Sequence, residues 1–369
     1  MTQPKKTKKI LIAPLNWGLG HATRCIPIID ELLRQGAEVI LASDGAALEL
    51  LKKEYPHLLC HALPAYNIRY PFESMVLSMA FQMPKILRGC IKEHFWLNNF
   101  LKKNKIDAVI SDNRFGFYNN QVKSIFMTHQ INIAAPFQFI VNKINHYFIQ
   151  KFDVCWIPDF ENVPNLAGKL SHFQSANSLK IQYLGTLSRM KKYVVQKKYR
   201  AIVVLSGPEP QRSILEKKII EQLQKENNAP PQYSLIRENK LPYLIVRGVT
   251  INDDFNFNCK NIEIHNYLTT KDLNQKILES EVMIARSGYS TIMDLVSLEM
   301  KAILIPTPGQ TEQEYLATEL MNNHIFYSQN QSELNLENAF NEVKNYTGFV
   351  NFFSQNETLP KIISELLKI

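Results

Sequence analysis

Residues 10–24 read Ile10-Leu11-Ile12-Ala13-Pro14-Leu15-Asn16-Trp17-Gly18-Leu19-Gly20-His21-Ala22-Thr23-Arg24. An apolar run this short reads as a buried strand. The glycines after it allow a sharp turn, and Ile26, Ile29, Leu32 and Leu33 then recur at helical spacing. Strand, glycine loop and helix open a parallel α/β unit. Further strands are expected at 38–43, 58–63, 108–112, 124–128 and 154–157, with helical patterns between them and Asp44 as the cap of the helix through Leu48 and Leu51. The series restarts at 201–206, 243–246, 262–265, 282–285 and 302–306, with helices such as 212–224 and 291–298 between. The pattern predicts an α/β protein of two Rossmann-like units with parallel sheets. The expected division is 1–184, 185–345 and a helical segment, 346–369, packing back on the first domain.

The chain has 369 residues, 45% apolar and 21% charged, which is globular composition and excludes disordered or fibrous classes. Its net charge of +8 is unevenly spread. Residues 1–184 carry 21 basic and 13 acidic side chains, whereas 201–369 sum to −6, with a basic stretch from Arg189 to Arg200 between. Cys25, Cys60, Cys90, Cys155 and Cys259 are scattered, without the spacing of a disulfide framework or a zinc site. The opening apolar run is short for a signal peptide, and nothing approaches the ~20 apolar residues of a membrane span. A cytoplasmic protein is expected, with a peripheral position on the inner face of the plasma membrane left open.

Chemistry in doubly wound sheets collects after the carboxyl ends of the strands. After the first strand, Gly18 and Gly20 let an anionic group approach a helix N-terminus. The dinucleotide pattern is incomplete, because Arg24 stands where a third glycine normally permits close helix packing. His21 lies at the same edge as Asp112, the last residue of another strand. A carboxylate there can orient the imidazole as a general base for a hydroxyl nucleophile; the structural alternatives are a helix-start histidine and a turn-capping aspartate.

In the second half, Ala285-Arg286-Ser287-Gly288-Tyr289-Ser290-Thr291-Ile292-Met293-Asp294 runs from strand into helix. Backbone N–H groups with Ser287, Ser290 and Thr291 can cradle a diphosphate, and Asp294 lies one helical turn after Ser290, within reach of a ribose. Pro306-Thr307-Pro308-Gly309-Gln310-Thr311-Glu312-Gln313-Glu314-Tyr315 follows another strand and offers the donors and acceptors that sugar hydroxyls need. Helix capping and dipole compensation are the plain alternatives for both.

Arg286-Ser287-Gly288-x-Ser290-Thr291-x-x-Asp294, then Ile305-Pro306 and Gln313-x-Tyr315-x-Ala317, resembles the C-terminal signature of glycosyltransferase family 28. That family includes the peptidoglycan UDP-N-acetylglucosamine transferase. Gly18-Leu19-Gly20-His21-Ala22-Thr23-Arg24 looks like a family-28-like branch carrying a G-L-G-H-A-T-R motif. The resemblance implies a GT-B fold, with two Rossmann-like domains facing a central cleft. It implies a nucleotide sugar on the C-terminal domain, an acceptor on the N-terminal one, inversion, and neither cofactor nor essential metal. Residue by residue, Arg286, Ser287 and Gly288 would approach the diphosphate and Asp294 would hold the ribose. The Leu268 backbone would read uracil, and Glu312 with Gln313 would hold the donor sugar. Ser206 and Gly207 would match the loop after the domain's first strand, and His21 the acceptor-side histidine. Glu314 in place of a second Gln, and the prolines at 208 and 210, depart from the peptidoglycan enzyme, so that substrate is not expected.

The function expected is transfer of a hexose or N-acetylhexosamine from a UDP-sugar to an acceptor hydroxyl in cell-envelope or glycoconjugate synthesis. A UDP-sugar hydrolase, an epimerase, and a non-catalytic nucleotide-sugar or lipid-binding protein stay open. Residues 74–103, rich in Met, Leu, Phe and Trp with Lys85, Arg88 and Lys92 interleaved, read either as a membrane-surface or lipid-acceptor element or as a core helix pair broken near Pro84. An anionic or lipid-linked acceptor would suit the basic first half; no nucleic-acid motif is present.

Overall fold

A computed structural model describes residues 7–66, 75–134, 137–173, 179–228, 241–249, 261–349 and 358–368. Ser74, Cys259 and residues 350–357 lie outside the described residues. The chain forms two compact units, Met1–Arg189 with Phe353–Ile369, and Met190–Phe352.

The first unit runs β1 (Lys9–Pro14), α1 (Gly20–Arg34), β2 (Glu38–Ser43), α2 (Gly45–Glu54), β3 (Leu59–Ala62), α3 (Met75–Lys103), β4 (Ala108–Asp112), β5 (Lys123–Met127), α4 (Gln138–Ile149), β6 (Val154–Ile157) and β7 (Ile181–Tyr183). The strands form one sheet in the order β3-β2-β1-β4-β5-β6-β7, every described pairing parallel. Leu11 and Ile12, which face opposite sides of β1, are both fully buried, as in a parallel sheet covered on both faces. Leu11, Ala13, Ile40, Ala42 and Val109 pack against Leu97 of α3. The register pairs Pro14 with Asp112, so the loop after β1 leaves beside the end of β4.

The second unit repeats the plan: β8 (Tyr199–Val204), α5 (Gln211–Asn228), β9 (Tyr243–Val246), β10 (Ile262–His265), α6 (Thr270–Leu278), β11 (Ser280–Ala285), α7 (Tyr289–Leu298), β12 (Lys301–Leu304), α8 (Thr311–Asn322), β13 (Tyr327–Ser328) and α9 (Leu336–Glu342). Its parallel sheet has the order β10-β9-β8-β11-β12-β13, with Val204 beside Ala285. A final helix, α10 (Thr358–Leu366), packs on α1, where Gln35 Nε2 donates to the Pro360 carbonyl at 2.8 Å.

Three local expectations change. Residues 75–103 form one helix with Pro84 inside it, not a broken pair. Strands β7 and β13 lacked a signal because three and two residues carry no readable alternation. Asp44 occupies the N-cap position of α2 without a side-chain cap bond, because buried Arg114 engages its carboxylate and Asn16 Nδ2 donates to it at 3.2 Å. Asn16 Oδ1 instead accepts from the Ala47 N–H of α2 at 3.2 Å.

Arg114 also pairs with Glu93 of α3 and donates Nε to the Pro14 carbonyl at 2.9 Å, while the Tyr66 hydroxyl donates to Glu93 at 2.5 Å. One guanidinium thereby bridges two carboxylates and ties β1, α2 and α3 behind the first loop. Removing one partner of a buried ionic group strands the others, at about 3–5 kcal/mol. Arg114→Leu is expected to lose stability of that order, read from the urea midpoint; an unchanged midpoint would show that the network is not stabilising.

Candidate active site

In the first unit the loop after β1 delivers His21 onto the start of α1, and β4 ends on Asp112 in a neighbouring strand. Gly18 adopts φ +78° in the left-handed region that favours glycine, and Gly20 is the first residue of the helix. His21 Nδ1 lies 3.1 Å from Asp112 Oδ1, and Asp112 is fully buried.

Two residues to which the sequence reading gave no site role join them. Arg24, one helical turn after His21, is buried and binds both carboxylate oxygens of Asp112, with Nε to Oδ2 at 2.8 Å and Nη2 to Oδ1. Its Nη2 also lies 2.9 Å from His21 Nδ1, and its Nη1 lies 2.9 Å from Nδ1 of His129, buried just beyond β5. The Cys25 thiol completes the shell 3.8 Å from Asp112 Oδ2. Arg24 was legible as a departure from a glycine pattern and as the end of the G-L-G-H-A-T-R motif, without a role assigned to it, and His129 had no local motif. Burial would raise the Asp112 carboxyl, but Arg24 and then His21 outweigh it and hold the group well below the usual carboxylate range. Burial lowers the His21 pKa, Asp112 opposes this, and Arg24 adds to the lowering. Burial and Arg24 together favour the neutral imidazole.

In the second unit the candidate residues ring the carboxyl edge of the sheet: Ser206 and Gly207 after β8, Leu268 after β10, Arg286 to Thr291 after β11, and Thr307 to Gln313 after β12. Gly207 has φ +102°, and a Cβ built on it would stand 3.7 Å from Thr307 Oγ1. Thr307 N–H donates to Gln313 Oε1 at 2.9 Å, and the Ser287 hydroxyl donates to the Gln313 carbonyl at 2.8 Å. Gly207, Thr307, Gln313 and Ser287 therefore form one connected group. Ser290, Thr291 and Asp294 lie half-buried in the first two turns of α7, behind Gly288 at its N-cap. Gln310 holds the N-cap position of α8, and Glu312 lies in that helix's first turn. Thr269 caps α6 by accepting from Asp272 N–H at 3.2 Å, which fixes the turn after Leu268. The preceding Asn266 accepts from Arg247 Nη1 at 3.0 Å, and Arg247 is itself ion-paired with buried Glu216.

Arg286 is buried more deeply than a diphosphate ligand requires. Its guanidinium donates to the carbonyls of Ile305, Pro306 and Gln211 and to Gln331 Oε1, at 2.6–3.1 Å, and burial pulls its pKa down to about 10. It thus braces the loop after β12. Among the described residues, Arg286 Nε and Thr307 Oγ1 are buried without a hydrogen-bond partner. Natively folded chains rarely leave such atoms unpaired without a functional reason.

Residues 202–349 match the glycosyltransferase family 28 C-terminal domain. An uncharacterized glycosyltransferase of Methanosarcina acetivorans is 25% identical over 330 residues, 83% of this chain and 81% of the relative. Among solved structures, MurG of Acinetobacter baumannii superposes with a TM-score of 0.59 at 14% identity, covering 98% of this chain and all of that one. The chain has the GT-B fold, and its second unit matches the family-28 C-terminal domain. Spinosyn rhamnosyltransferase SpnG complexed with thymidine diphosphate shares the fold, with a TM-score of 0.55 at 10% identity, covering 98% of this chain and 95% of that one. The matched residues contain the whole connected group after β8, β11 and β12.

An unpaired buried hydroxyl carries a desolvation cost of about 1–3 kcal/mol that a methyl group does not. Thr307→Val, nearly isosteric, is therefore expected to raise the melting temperature of the ligand-free protein; a clear fall would mean that the hydroxyl already serves the fold.

Proposed function

We propose that the protein transfers a sugar, a hexose or N-acetylhexosamine, from a UDP-sugar to an acceptor hydroxyl, with inversion, in cell-envelope or glycoconjugate synthesis. The observation that carries this reading is the carboxyl edge of the second sheet. There a helix N-terminus, the Gly207 turn and orphaned buried polar atoms meet inside the region matching the family-28 donor domain. The N–H groups at the start of α7 attract the diphosphate, with Ser290 and Thr291 as added donors. Arg286 holds the edge in shape and contributes its positive charge from beneath. Asp294 takes the ribose, the Leu268 backbone the uracil, and Gln310, Glu312 and Gln313 the sugar hydroxyls. Gln313 serves through Nε2, since its Oε1 is engaged by Thr307.

On the acceptor side, His21 takes the proton of the attacking hydroxyl as its oxygen bonds to the anomeric carbon. The bond from that carbon to the diphosphate breaks, and its electron pair leaves with UDP. Fixed dipoles and cations at the leaving group do the stabilising, so no metal ion is required.

The acceptor presented to the first unit is anionic or lipid-linked. Two of its helices support this by an inverted polarity. On α3 the buried face carries Glu93, Cys90 and Gln82 beside apolar Leu97, while Phe81, Leu87, Ile91 and Phe95 are exposed among Lys85, Arg88 and Lys92. On α4, Asn142, Asn145 and His146 bond the inner backbone at residues 130–133, and Phe139, Ile140, Ile144 and Tyr147 face out beside Lys143. Apolar exposure with only basic charge around it suits an anionic lipid surface. Among the described residues no helix is long and apolar enough to cross a membrane.

His21→Ala is expected to cut turnover ~10²-fold or more, the scale of general-base catalysis, while UDP still raises the melting temperature. Near-normal turnover of the variant would remove His21 as base, and UDP release without acceptor would make the protein a hydrolase. Co-sedimentation is expected with vesicles containing anionic phosphatidylglycerol, weakening with salt and lost in Phe139→Asp. Equal binding to neutral vesicles would count against the anionic partner.

A further inference from the structure

Arg24 stands at the centre of the first site, although a histidine and a carboxylate alone would make a general-base pair. In a simple pair the carboxylate's charge stabilises the imidazolium. Here that charge is already taken: Arg24 binds Oδ2 through Nε at 2.8 Å and Oδ1 through Nη2. The same guanidinium turns its remaining donors on two imidazoles, Nη2 to His21 Nδ1 and Nη1 to His129 Nδ1, each at 2.9 Å. A guanidinium can only donate. The His129 nitrogen facing it must therefore carry a lone pair, and a proton added to either ring would stand beside a fixed cation.

We propose that Arg24 is a positioning residue that governs His21 through Asp112, neutralising the carboxylate and holding His21 unprotonated in the free protein. This rests on the reading of His21 as the base, although the test below needs no turnover. The charged and titratable groups facing His21 are Arg24 from its own helix, Asp112 from β4, and His129 from the segment after β5, with Cys25 touching Asp112 from the far side. The Cys25 thiol is pushed well up by burial and by Asp112, so it stays neutral and adds no charge. The direction of the His21 shift agrees with this geometry: burial lowers it, and Arg24 lowers it further against the pull of Asp112. A base kept neutral in this way accepts a proton from the acceptor hydroxyl below the pH at which an ordinary histidine is already protonated.

The experiment is an NMR titration of histidine-labelled full-length protein, with His21→Gln and His129→Gln used to assign the two imidazoles. In the native protein the His21 midpoint is expected below the ordinary 6.5. In Arg24→Met, where Asp112 is left bare, it is expected to rise by about 1–3 units, the usual effect of one neighbouring charge. Arg24→Lys, which keeps the cation, is expected to stay near the native value. A His21 midpoint that stays put or falls in Arg24→Met would overturn the proposal. Should that variant not fold, Asp112→Asn decides: with Arg24 unopposed the His21 midpoint must fall, and a rise or no change would overturn the proposal equally. Loss of the base role, read from turnover of His21→Ala, would leave these midpoints untouched, so the two failures are distinguishable.

Discussion

Parallel pairing of the first strand with the fourth is the constraint on which both units depend. Each crossover in a parallel sheet is right-handed, so the chain winds one way from β1 to β3 and, after returning to the other side of β1, continues outward from β4. The loops after these two central strands diverge and leave an edge crevice between them. In the first unit the crevice holds His21 against Asp112; in the second it holds Gly207 near the loops after β11 and β12. In the first unit, residues 91 positions apart become neighbours because two strands share a ladder.

Both edges are stiffened by buried arginines. Arg114 holds Asp44 and Glu93 behind the first loop, Arg24 holds Asp112 at its mouth, Arg286 gathers backbone carbonyls beneath the β12 loop, and Arg247 pairs with Glu216 beside the turn before Leu268. The planar fork of the guanidinium explains this use: it satisfies several acceptors in fixed directions, which a lysine ammonium on a flexible stem does not. Charges spent inside the protein in this way do not face a ligand directly. They shape loops whose backbone N–H groups and hydroxyls do, which suits a second unit that has no net positive charge and must attract a diphosphate locally.

Much of this was legible in the chain. The alternation of short apolar runs with helical periodicity located the long central strands, because a strand buried on both faces reads as a continuous apolar run. The glycine loop with His21, and the stretch from Arg286 to Asp294, stood out because they follow such strands directly. Arg24 and His129 were not legible as site residues: Arg24 meets Asp112, and His129 meets Arg24, only after β1, β4 and β5 are aligned. Asp44 misled because an aspartate before a helix is usually its cap, and only a buried arginine from 70 residues away gives its carboxylate a stronger partner.

The sequence by itself determined the longer strands and most of the helices, and which loops carry glycine, hydroxyl and charged groups, because periodicity and turn chemistry are local properties of the chain. It also determined that residues 81–103 and 137–151 carry basic but almost no acidic charge. Tertiary structure decided which faces of α3 and α4 are turned outward, which carboxylate each arginine neutralises, and that the His21–Asp112 pair is a four-member cluster. Those outcomes depend on burial, and burial is set by strands and helices far apart in sequence; a buried charge takes whichever opposite charge the fold brings within reach.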